Sequence, residues 1–352
     1  MVTRVLRQAS LRANLGLCNS IQVQCLLTVL SSETRPNAKR RNVSGNFKRQ
    51  TGIMKNMTSK IIGLFVLTLL GCAATYKNNE KFTSYNLSKP DFTFVLPDTL
   101  REISGLTDID STTFACIQDE NGILFIYDIG KNNIQKQYSF NIDGDYEGIT
   151  RVDSSMYILR SDGTLFEISN YQSSNFKLNS FTTGIPANNN EGLCYDPDNN
   201  RLLIASKGKI AKGPEYKDKR VIYGFDLKEK KLTEKPVFEF DLQNIKQFAT
   251  SNKIDVPTKT KKNGQITEPF IKFMTSAIAI HPITKKLYLL SASDHLFFIF
   301  NIKGEIEHME PMNPDIFNKA EGITFLDNGD MIITNEGQNK KPTLLRFNYK
   351  NK

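Results

Sequence analysis

A four-residue motif that recurs along the chain is the feature that most constrains its fold. The motif has the form x-Gly-Leu/Ile-Thr/Cys. One copy is degenerate and carries alanine at both the glycine and the threonine positions. The five copies are Ser104–Thr107, Glu147–Thr150, Glu191–Cys194, Ser276–Ala279 and Glu321–Thr324. Each copy is followed by a turn and then by an apolar run that ends in polar residues. A unit of several short strands repeated at a fixed period is typical of a β-propeller, in which each unit forms one blade.

The spacing of the motif predicts five blades, with six as the alternative. The first three motif glycines lie 43 and 44 residues apart, but the gap before Ala277 is 85 residues, which is long enough to hide a blade. Residues 220–242 contain two strand-like runs that match the outer strands of the first blade, so they complete the third blade. Residues 243–273 are rich in lysine and lack the motif. We interpret them as a surface insertion that is partly helical.

The last blade needs a strand from elsewhere in the chain. Only three strands are predicted after Glu321, whereas the apolar run Asp91–Leu96 precedes the first inner strand and has no blade of its own. Pairing this N-terminal strand with the last blade would remove the open edges of both. The sequence therefore predicts an all-β, five-bladed propeller over residues 91–352 that is closed by its N-terminal strand.

Charge and cysteine content exclude two classes of protein. The formal charge is +9, but residues 1–53 hold nine Lys/Arg and one acid, so the remainder is nearly neutral. A propeller without a basic face is not expected to bind nucleic acid. The five cysteines do not form a disulfide framework. Cys116 and Cys194 lie in apolar strand patterns and are expected to be small buried residues.

Residues 54–71 have the organisation of a secretory signal. A basic start is followed by a ten-residue apolar run, which is too short for a bilayer that needs about 20 residues. Leu69–Cys72 resembles the lipobox of bacterial lipoproteins. That resemblance implies that Cys72 is the lipidated N-terminus of the mature protein, and that Ala73 after it favours the outer membrane. The alternative is an ordinary signal peptide in which Cys72 has no role.

The segments on either side of this signal are interpreted from its position. Secretory signals are N-terminal, so residues 1–53 are expected to lie upstream of the true start of translation. The alternative is a genuine leader, expected to be disordered. Residues 72–90 are polar and are interpreted as a tether.

The residue before each motif glycine is expected to line the central channel. Three of these residues are Glu147, Glu191 and Glu321, and the other two are Ser104 and Ser276. Three converging carboxylates repel one another unless a cation lies between them. Carboxylates, carbonyls and waters suit Ca²⁺ better than Mg²⁺, which demands more regular geometry. The alternative is that the acids recur because the blades share ancestry, and that they face water.

A second set of polar residues follows the middle strands and is predicted to surround one mouth of the channel. Arg160 and Lys207 would contact an anionic or polar ligand there. The alternative is that these residues only form turns. The candidate ligand contacts are Glu120, Arg160, Asp162, Lys207, Asp294 and Glu336. The sequence contains no nucleophile elbow, zinc-protease helix or phosphate loop, so no catalytic residue is assigned.

Taken together, the motifs resemble the SdiA-regulated (YjiK-like) family of bacterial envelope β-propellers. The resemblance covers about residues 91–352 and rests on Leu100–Leu106, Asp145–Thr150, Asn190–Leu193, Ser291–Asp294 and Ala320–Thr324. It implies a five-bladed propeller with distant similarity to NHL repeats and a bound calcium ion. The insertion at 243–273 and the worn copy at Ser276–Ala277 depart from the pattern, which leaves the fourth blade's contribution to a metal site open.

Three functions are consistent with these observations. The first is a monomeric, calcium-binding lipoprotein, anchored to the membrane by Cys72 and facing the periplasm or the cell surface, that binds a protein or a small molecule without catalysis. The second is a metal-dependent hydrolase of the lactonase, esterase or phytase-like type. The third is a structural platform with an empty channel.

Overall fold

A computed structural model describes residues 84–350, except 174, 188, 261 and 263. The upstream leader, the signal segment and Cys72 lie outside the described residues. The propeller begins with two regular four-stranded antiparallel sheets. Blade 1 consists of β2 (Ile103–Asp108), β3 (Thr113–Gln118), β4 (Ile123–Asp128) and β5 (Asn133–Ser139). Blade 2 consists of β6 (Tyr146–Val152), β7 (Ser155–Arg160), β8 (Thr164–Ser169) and β9 (Lys177–Thr182).

Blade 3 has a divided outer strand. The first part pairs with one end of β12 and the second part with its other end, and Pro236, which has no N–H to donate, lies between them. The strands of this blade are β10 (Asn190–Asp196), β11 (Arg201–Ser206), β12 (Lys219–Asp226), β13 (Lys231–Leu232) and β14 (Phe238–Asp241).

The insertion forms a helix and a hairpin. Helix α1 (Leu242–Ser251) is capped by the Asp241 side chain, which accepts from the backbone N–H of Gln243 at 2.8 Å. Its apolar face, which includes Ile245, packs on the aromatic cluster of blades 3 and 4. Strands β15 (Thr258–Thr260) and β16 (Ile266–Pro269) form the hairpin. Residues 243–273 therefore contain no further blade, and six blades is the wrong count.

The last two blades complete the ring. Blade 4 consists of β17 (Ala277–Ile280), β18 (Leu287–Ser291), β19 (Leu296–Phe300) and β20 (Ile306–Pro311). Blade 5 consists of β21 (Ala320–Phe325), β22 (Met331–Asn335), β23 (Thr343–Phe347) and the N-terminal β1 (Phe92–Val95). Strand β1 pairs antiparallel with β23 in the register Phe92 to Arg346 and Val95 to Thr343. The predicted closure is confirmed.

Five hydrophobic clusters hold the ring together, one at each interface between neighbouring blades. Strand β3 shows why the middle strands are apolar throughout. Because side chains alternate between the faces of a strand, Phe114 and Cys116 pack towards blade 5 while Ala115 and Ile117 pack towards blade 2. The inner strands β2, β6, β10, β17 and β21 contact one another in that cyclic order. This packing makes the structure a closed five-bladed propeller.

A short segment before β1 is fixed against blades 4 and 5. The hydroxyl of Tyr85 donates to the carbonyl of Gly329 at 2.5 Å and lies 2.7 Å from Nε2 of His281. Nδ1 of His281 accepts from the backbone N–H groups of Ile283 and Thr284, each at 3.1 Å. Burial lowers the pKa of His281 to about 4, so the ring is neutral at physiological pH. His281 therefore has a structural role here.

Within residues 84–350, no described helix is long and apolar enough to cross a bilayer. Cys116 and Cys194 are both free thiols buried in the core.

Candidate functional site on the propeller axis

The first motif position is a β-bulge in four of the five inner strands. The pairing register between the inner and middle strands slips at Ser104, Glu147, Glu191 and Glu321. A bulge inserts one unpaired residue and re-aims its side chain. Strand β17 has no bulge, because it begins at Ala277, after the equivalent position.

The motif glycine lets adjacent blades approach closely behind this bulge. A Cβ atom built on Gly148 would lie 2.7 Å from Cβ of Leu193 and 2.9 Å from the carbonyl oxygen of Glu191. Those distances are shorter than van der Waals contact, so only glycine fits without a shift of the backbone. The close approach brings the bulged residues of neighbouring blades together at the axis.

Three glutamates from three blades line one small cavity on this axis. The cavity has a volume of about 10 Å³, and Glu147, Glu191 and Glu321 all border it. Glu191 and Glu321 are buried, and Glu147 is half-buried. The two serines behave differently. Ser104 Oγ donates to the carbonyl of Tyr146 at 2.6 Å, and Ser276 Oγ to that of Ala320 at 2.8 Å, so both join one blade to the next.

Two lysines enter the cluster and partly neutralise it. Lys207, directly after β11, forms an ion pair with Oε1 of Glu191. Lys319, directly before β21, lies 3.3 Å from Oε1 of Glu321 and forms a shorter ion pair with Oε2 of Glu336. The repulsion between the glutamates is therefore relieved in part by ammonium groups of the chain itself.

Burial raises the pKa of all three glutamates, and neighbouring carboxylates add to the shift. For Glu147, burial, followed by the charges of Glu191, Asp145 and Glu321, raises the pKa to about 9. Burial and the charge of Glu321 raise the pKa of Glu191 to about 7, against the opposing effect of Lys207. Burial also raises the pKa of Glu321, although Lys319 opposes the shift. The cluster resists carrying its full negative charge.

Carboxyl groups outnumber lysines at this end of the channel. The three glutamates interact with two further acids, Asp145 and Glu336, so five carboxyl groups face the two lysines. Glu147 forms no ion pair with any described residue. Oε2 of Glu191 is buried and has no hydrogen-bond partner. An additional cation would satisfy both groups.

The axial residues have the chemistry of a calcium site but are not arranged as one. All the available ligands are hard oxygen donors, and an unpartnered carboxylate oxygen is aimed into the cluster, as calcium requires. Within the described ranges, however, no three His, Cys, Asp or Glu side chains are already grouped as metal ligands. The difference has a visible cause, because Lys207 and Lys319 hold two of the three carboxylates. These residues offer oxygen ligands alone, which is the chemistry that a hard cation prefers.

The members of the second polar set have different partners in the structure. Arg160 makes two hydrogen bonds to its neighbour Asp162, at 3.1 and 2.7 Å, and so closes a turn. Asp294 accepts from the backbone N–H groups of Lys272 and Phe273 at 3.1 and 2.8 Å, and so fixes the end of the insertion.

Of the remaining members of that set, two belong to the axial cluster. Lys207 pairs with Glu191, and Glu336 pairs with Lys319. The side chain of Glu120 is exposed. Asp119, its neighbour, is half-buried, and its Oδ1 atom is buried without a hydrogen-bond partner among the described residues. Burial, with the charges of Glu102 and Glu336, raises its pKa to about 6.

Lys319 is the functional candidate that the sequence analysis missed. It lies two residues before Glu321, where the other motif copies carry Glu102, Asp145, Asn189 and Met274. A single basic residue at a position that is otherwise acidic or neutral was the available signal.

An apolar ring closes the channel below the glutamates. The third motif position supplies a Leu or Ile from every blade, and these five side chains border both the small acidic cavity and a larger cavity of about 210 Å³ at the opposite end. The ring consists of Leu106, Ile149, Leu193, Ile278 and Ile323, all buried.

Comparison with known proteins gives structural neighbours only. No family model matches the chain, and no curated protein matches it. Myxococcus xanthus glutaminyl cyclase has 12% sequence identity and a TM-score of 0.48, covering 75% of this chain and 97% of that chain. A streptogramin B lyase has 12% identity and a TM-score of 0.42, covering 74% and 87%. The WD40 β-propeller domain of Doa1 has 10% identity and a TM-score of 0.39, covering 76% and 98%. The fold assignment itself rests on the sheet topology described above.

Proposed function

We propose that this chain is a calcium-binding β-propeller that acts as a binding or signalling module at the bacterial envelope, without catalysis. The observation that carries the proposal is the excess of converging carboxylates over lysines on the axis. Glu147 has no ion pair among the described residues, and Oε2 of Glu191 has no hydrogen-bond partner. Without a cation such carboxyl groups retain their protons, as the raised pKa values of both indicate, and a cation bound between them would favour the ionised forms.

The chemistry of the cluster favours calcium over other metals. Glu147, Glu191 and Glu321 would hold the ion, and they offer oxygen atoms alone. Calcium accepts irregular shells of six to eight oxygens and keeps waters where the protein supplies too few ligands. Softer metals prefer nitrogen or sulfur ligands, and the described residues that border the cavity include no histidine or cysteine.

The envelope location rests on the N-terminal segment and on the family resemblance. Cys72 ends a lipobox-like signal, which would place the monomeric propeller on a membrane, with the outer membrane favoured. Resemblance to the SdiA-regulated family supports both the calcium ion and the envelope. The physiological partner would be a protein or small molecule that approaches the acidic mouth.

Thermal unfolding with and without calcium tests the proposal. A 100-fold excess of calcium over its Kd stabilises the folded state by about 2.7 kcal/mol. That corresponds to a rise in Tm of roughly 5–10 °C. We expect this rise in the wild type and its loss in Glu147→Gln, which removes a ligand charge but keeps the shape of the side chain.

Glu239→Gln is the matched control, since Glu239 is exposed on outer strand β14. It should respond to calcium as the wild type does. If the wild type melts at the same temperature with calcium and with chelator, it does not bind calcium, and the proposal is wrong on this point.

One observation favours hydrolysis as the second candidate. Glu147 and Glu191 are neighbouring carboxyl groups whose pKa values are raised to about 9 and about 7, and a protonated acid beside an ionised one is the arrangement of many acid–base pairs. The axial cavity of about 10 Å³ is too small for a substrate, which would have to bind at the mouth. Assays with lactones, aryl esters and phytate, with calcium and then with chelator, decide between the two. Turnover that is lost in Glu147→Gln would establish the enzyme.

A further inference from the structure

The two axial lysines differ from the carboxylates that they contact in how firmly they are held. The side chain of Glu191 is 1% exposed and that of Glu321 is 7% exposed, whereas those of Lys207 and Lys319 are 30% and 34% exposed. The ammonium groups therefore reach the buried carboxylates from the solvent side. A lysine stem is flexible, so either group can withdraw without any change in the backbone.

We propose that Lys207 and Lys319 are built-in competitors of the bound cation, which occupy Glu191 and Glu321 in the calcium-free protein and withdraw when calcium binds. This inference rests on the proposed cation site. An ammonium group and a metal ion cannot share one carboxylate pair at close range, because like charges a few ångströms apart repel strongly in a buried site. Every calcium ion that binds must therefore displace these contacts.

Displacement gives the site a preference for divalent ions. A monovalent cation brings no more charge than the lysine that it replaces, so exchange gains little. A divalent cation brings twice that charge to the same carboxylates. The lysines would thus keep sodium and potassium out of the site while calcium enters.

The two lysines differ in where they can go. Lys319 contacts both Glu321 and Glu336, so it can release Glu321 and stay paired with Glu336. Lys207 forms an ion pair with Glu191 alone among the described carboxylates, and withdrawal would leave it in solvent. Calcium should therefore expose Lys207 more than Lys319.

Neutral replacement of the lysines tests the competition. Lys207→Met keeps the length of the side chain and removes its charge, so calcium should bind at least tenfold more tightly by titration calorimetry at fixed ionic strength. Lys319→Met should show a smaller gain. Both variants should also discriminate less between calcium and sodium. Lys230→Met is the matched control, because Lys230 is 31% exposed and pairs with Glu167 at 3.1 Å away from the axis.

Chemical labelling measures the exposure of Lys207 in the wild type, so it does not depend on how any variant folds. Reductive methylation followed by mass spectrometry should show faster modification of Lys207 when calcium is added, with Lys230 unchanged. The competition would be wrong if the wild type binds calcium, Lys207→Met binds it no more tightly, and calcium does not change the labelling of Lys207. The calcium site would still be supported by that result.

The remaining outcomes separate the two proposals. Binding by Lys207→Met but not by the wild type would support the competition and overturn calcium binding as the native function. Absence of binding in the wild type and in both folded variants would overturn both.

Discussion

Glu147 is the axial residue whose environment differs most from that of its equivalents. Glu191 and Glu321 each face a lysine, whereas Glu147 forms no ion pair within the described chain and has Asp145 two residues away. The recurring Glu-Gly pair in the sequence was enough to predict that these acids share one site. The lysine contacts were not predictable, because they join side chains at the ends of different strands and follow no repeat.

The raised pKa of Glu147 predicts how calcium-free stability depends on pH. Its pKa is 4.5 as a free side chain and about 9 in the folded protein, so the folded state holds this proton more tightly than the unfolded state does. Stability therefore falls as pH rises between these values. Gln imitates the protonated form and removes the dependence. With chelator present, we expect the Tm of Glu147→Gln to exceed that of the wild type by a margin that widens from pH 6 to pH 9 by about 3–4 kcal/mol, or roughly 6–16 °C, because each pH unit between the two pKa values contributes about 1.4 kcal/mol.

A second Glu→Gln variant, away from the axis, controls for the loss of a glutamate charge as such. Glu239→Gln, on the exposed face of β14, should follow the wild-type curve at every pH. Parallel curves for the wild type and Glu147→Gln would show that Glu147 titrates normally.

At the level of the strand, each motif position has its own physical task. The first is the bulge, the second allows close approach, and the third forms the apolar ring. The fourth joins blades: Oγ1 of Thr107 accepts from the N–H of Arg151, and Oγ1 of Thr150 accepts from that of Tyr195, each at 3.2 Å. The bulge recurs in four blades and the apolar residue in all five, which is why the sequence predicts the fold so well.

The elements that sequence did not predict in detail are those outside the repeat. The outer strand of blade 3 was expected as one run over Pro236–Leu242, but its paired part is Phe238–Asp241, with β13 pairing separately. Outer strands are the most exposed, so they carry weaker patterns than the inner three. The insertion adds a helix whose existence depends on packing against Phe240 and its neighbours, which no local signal specifies.

The segment before β1 predicts a measurable contribution to stability. Tyr85→Phe removes the hydroxyl that serves both Gly329 and His281, and so leaves buried polar groups unsatisfied. Such a loss costs about 1–3 kcal/mol, or roughly 3–9 °C in Tm for a domain of this size. Thermal unfolding measures it, with Tyr138→Phe on outer strand β5 as the control that should change little. Equal losses in both variants would mean that the Tyr85 hydroxyl has no special role.

At the scale of the whole molecule, the propeller offers little that would bind a membrane by itself. Without residues 1–53 the chain has 37 basic and 36 acidic residues, so anionic lipids exert almost no net attraction. The exposed large apolar residues, such as Phe92, Ile142 and Ile302, are spread over different blades. Under the proposed lipidation of Cys72, membrane attachment would depend on the lipid, which contributes about 0.8 kcal/mol for each CH₂ group that it buries.

Cys72→Ala tests this dependence directly. Wild-type protein grown with a labelled fatty acid should carry the label and sediment with the outer membrane, whereas the variant should carry none and lose membrane attachment once the signal segment is cleaved. Ala73→Asp is the matched variant, because it keeps the modified cysteine. In lipoproteins of the type that Leu69–Cys72 resembles, an acid at this position shifts the protein to the inner membrane. Label in Cys72→Ala, or an unlabelled wild type, would show that the cysteine is not the anchor.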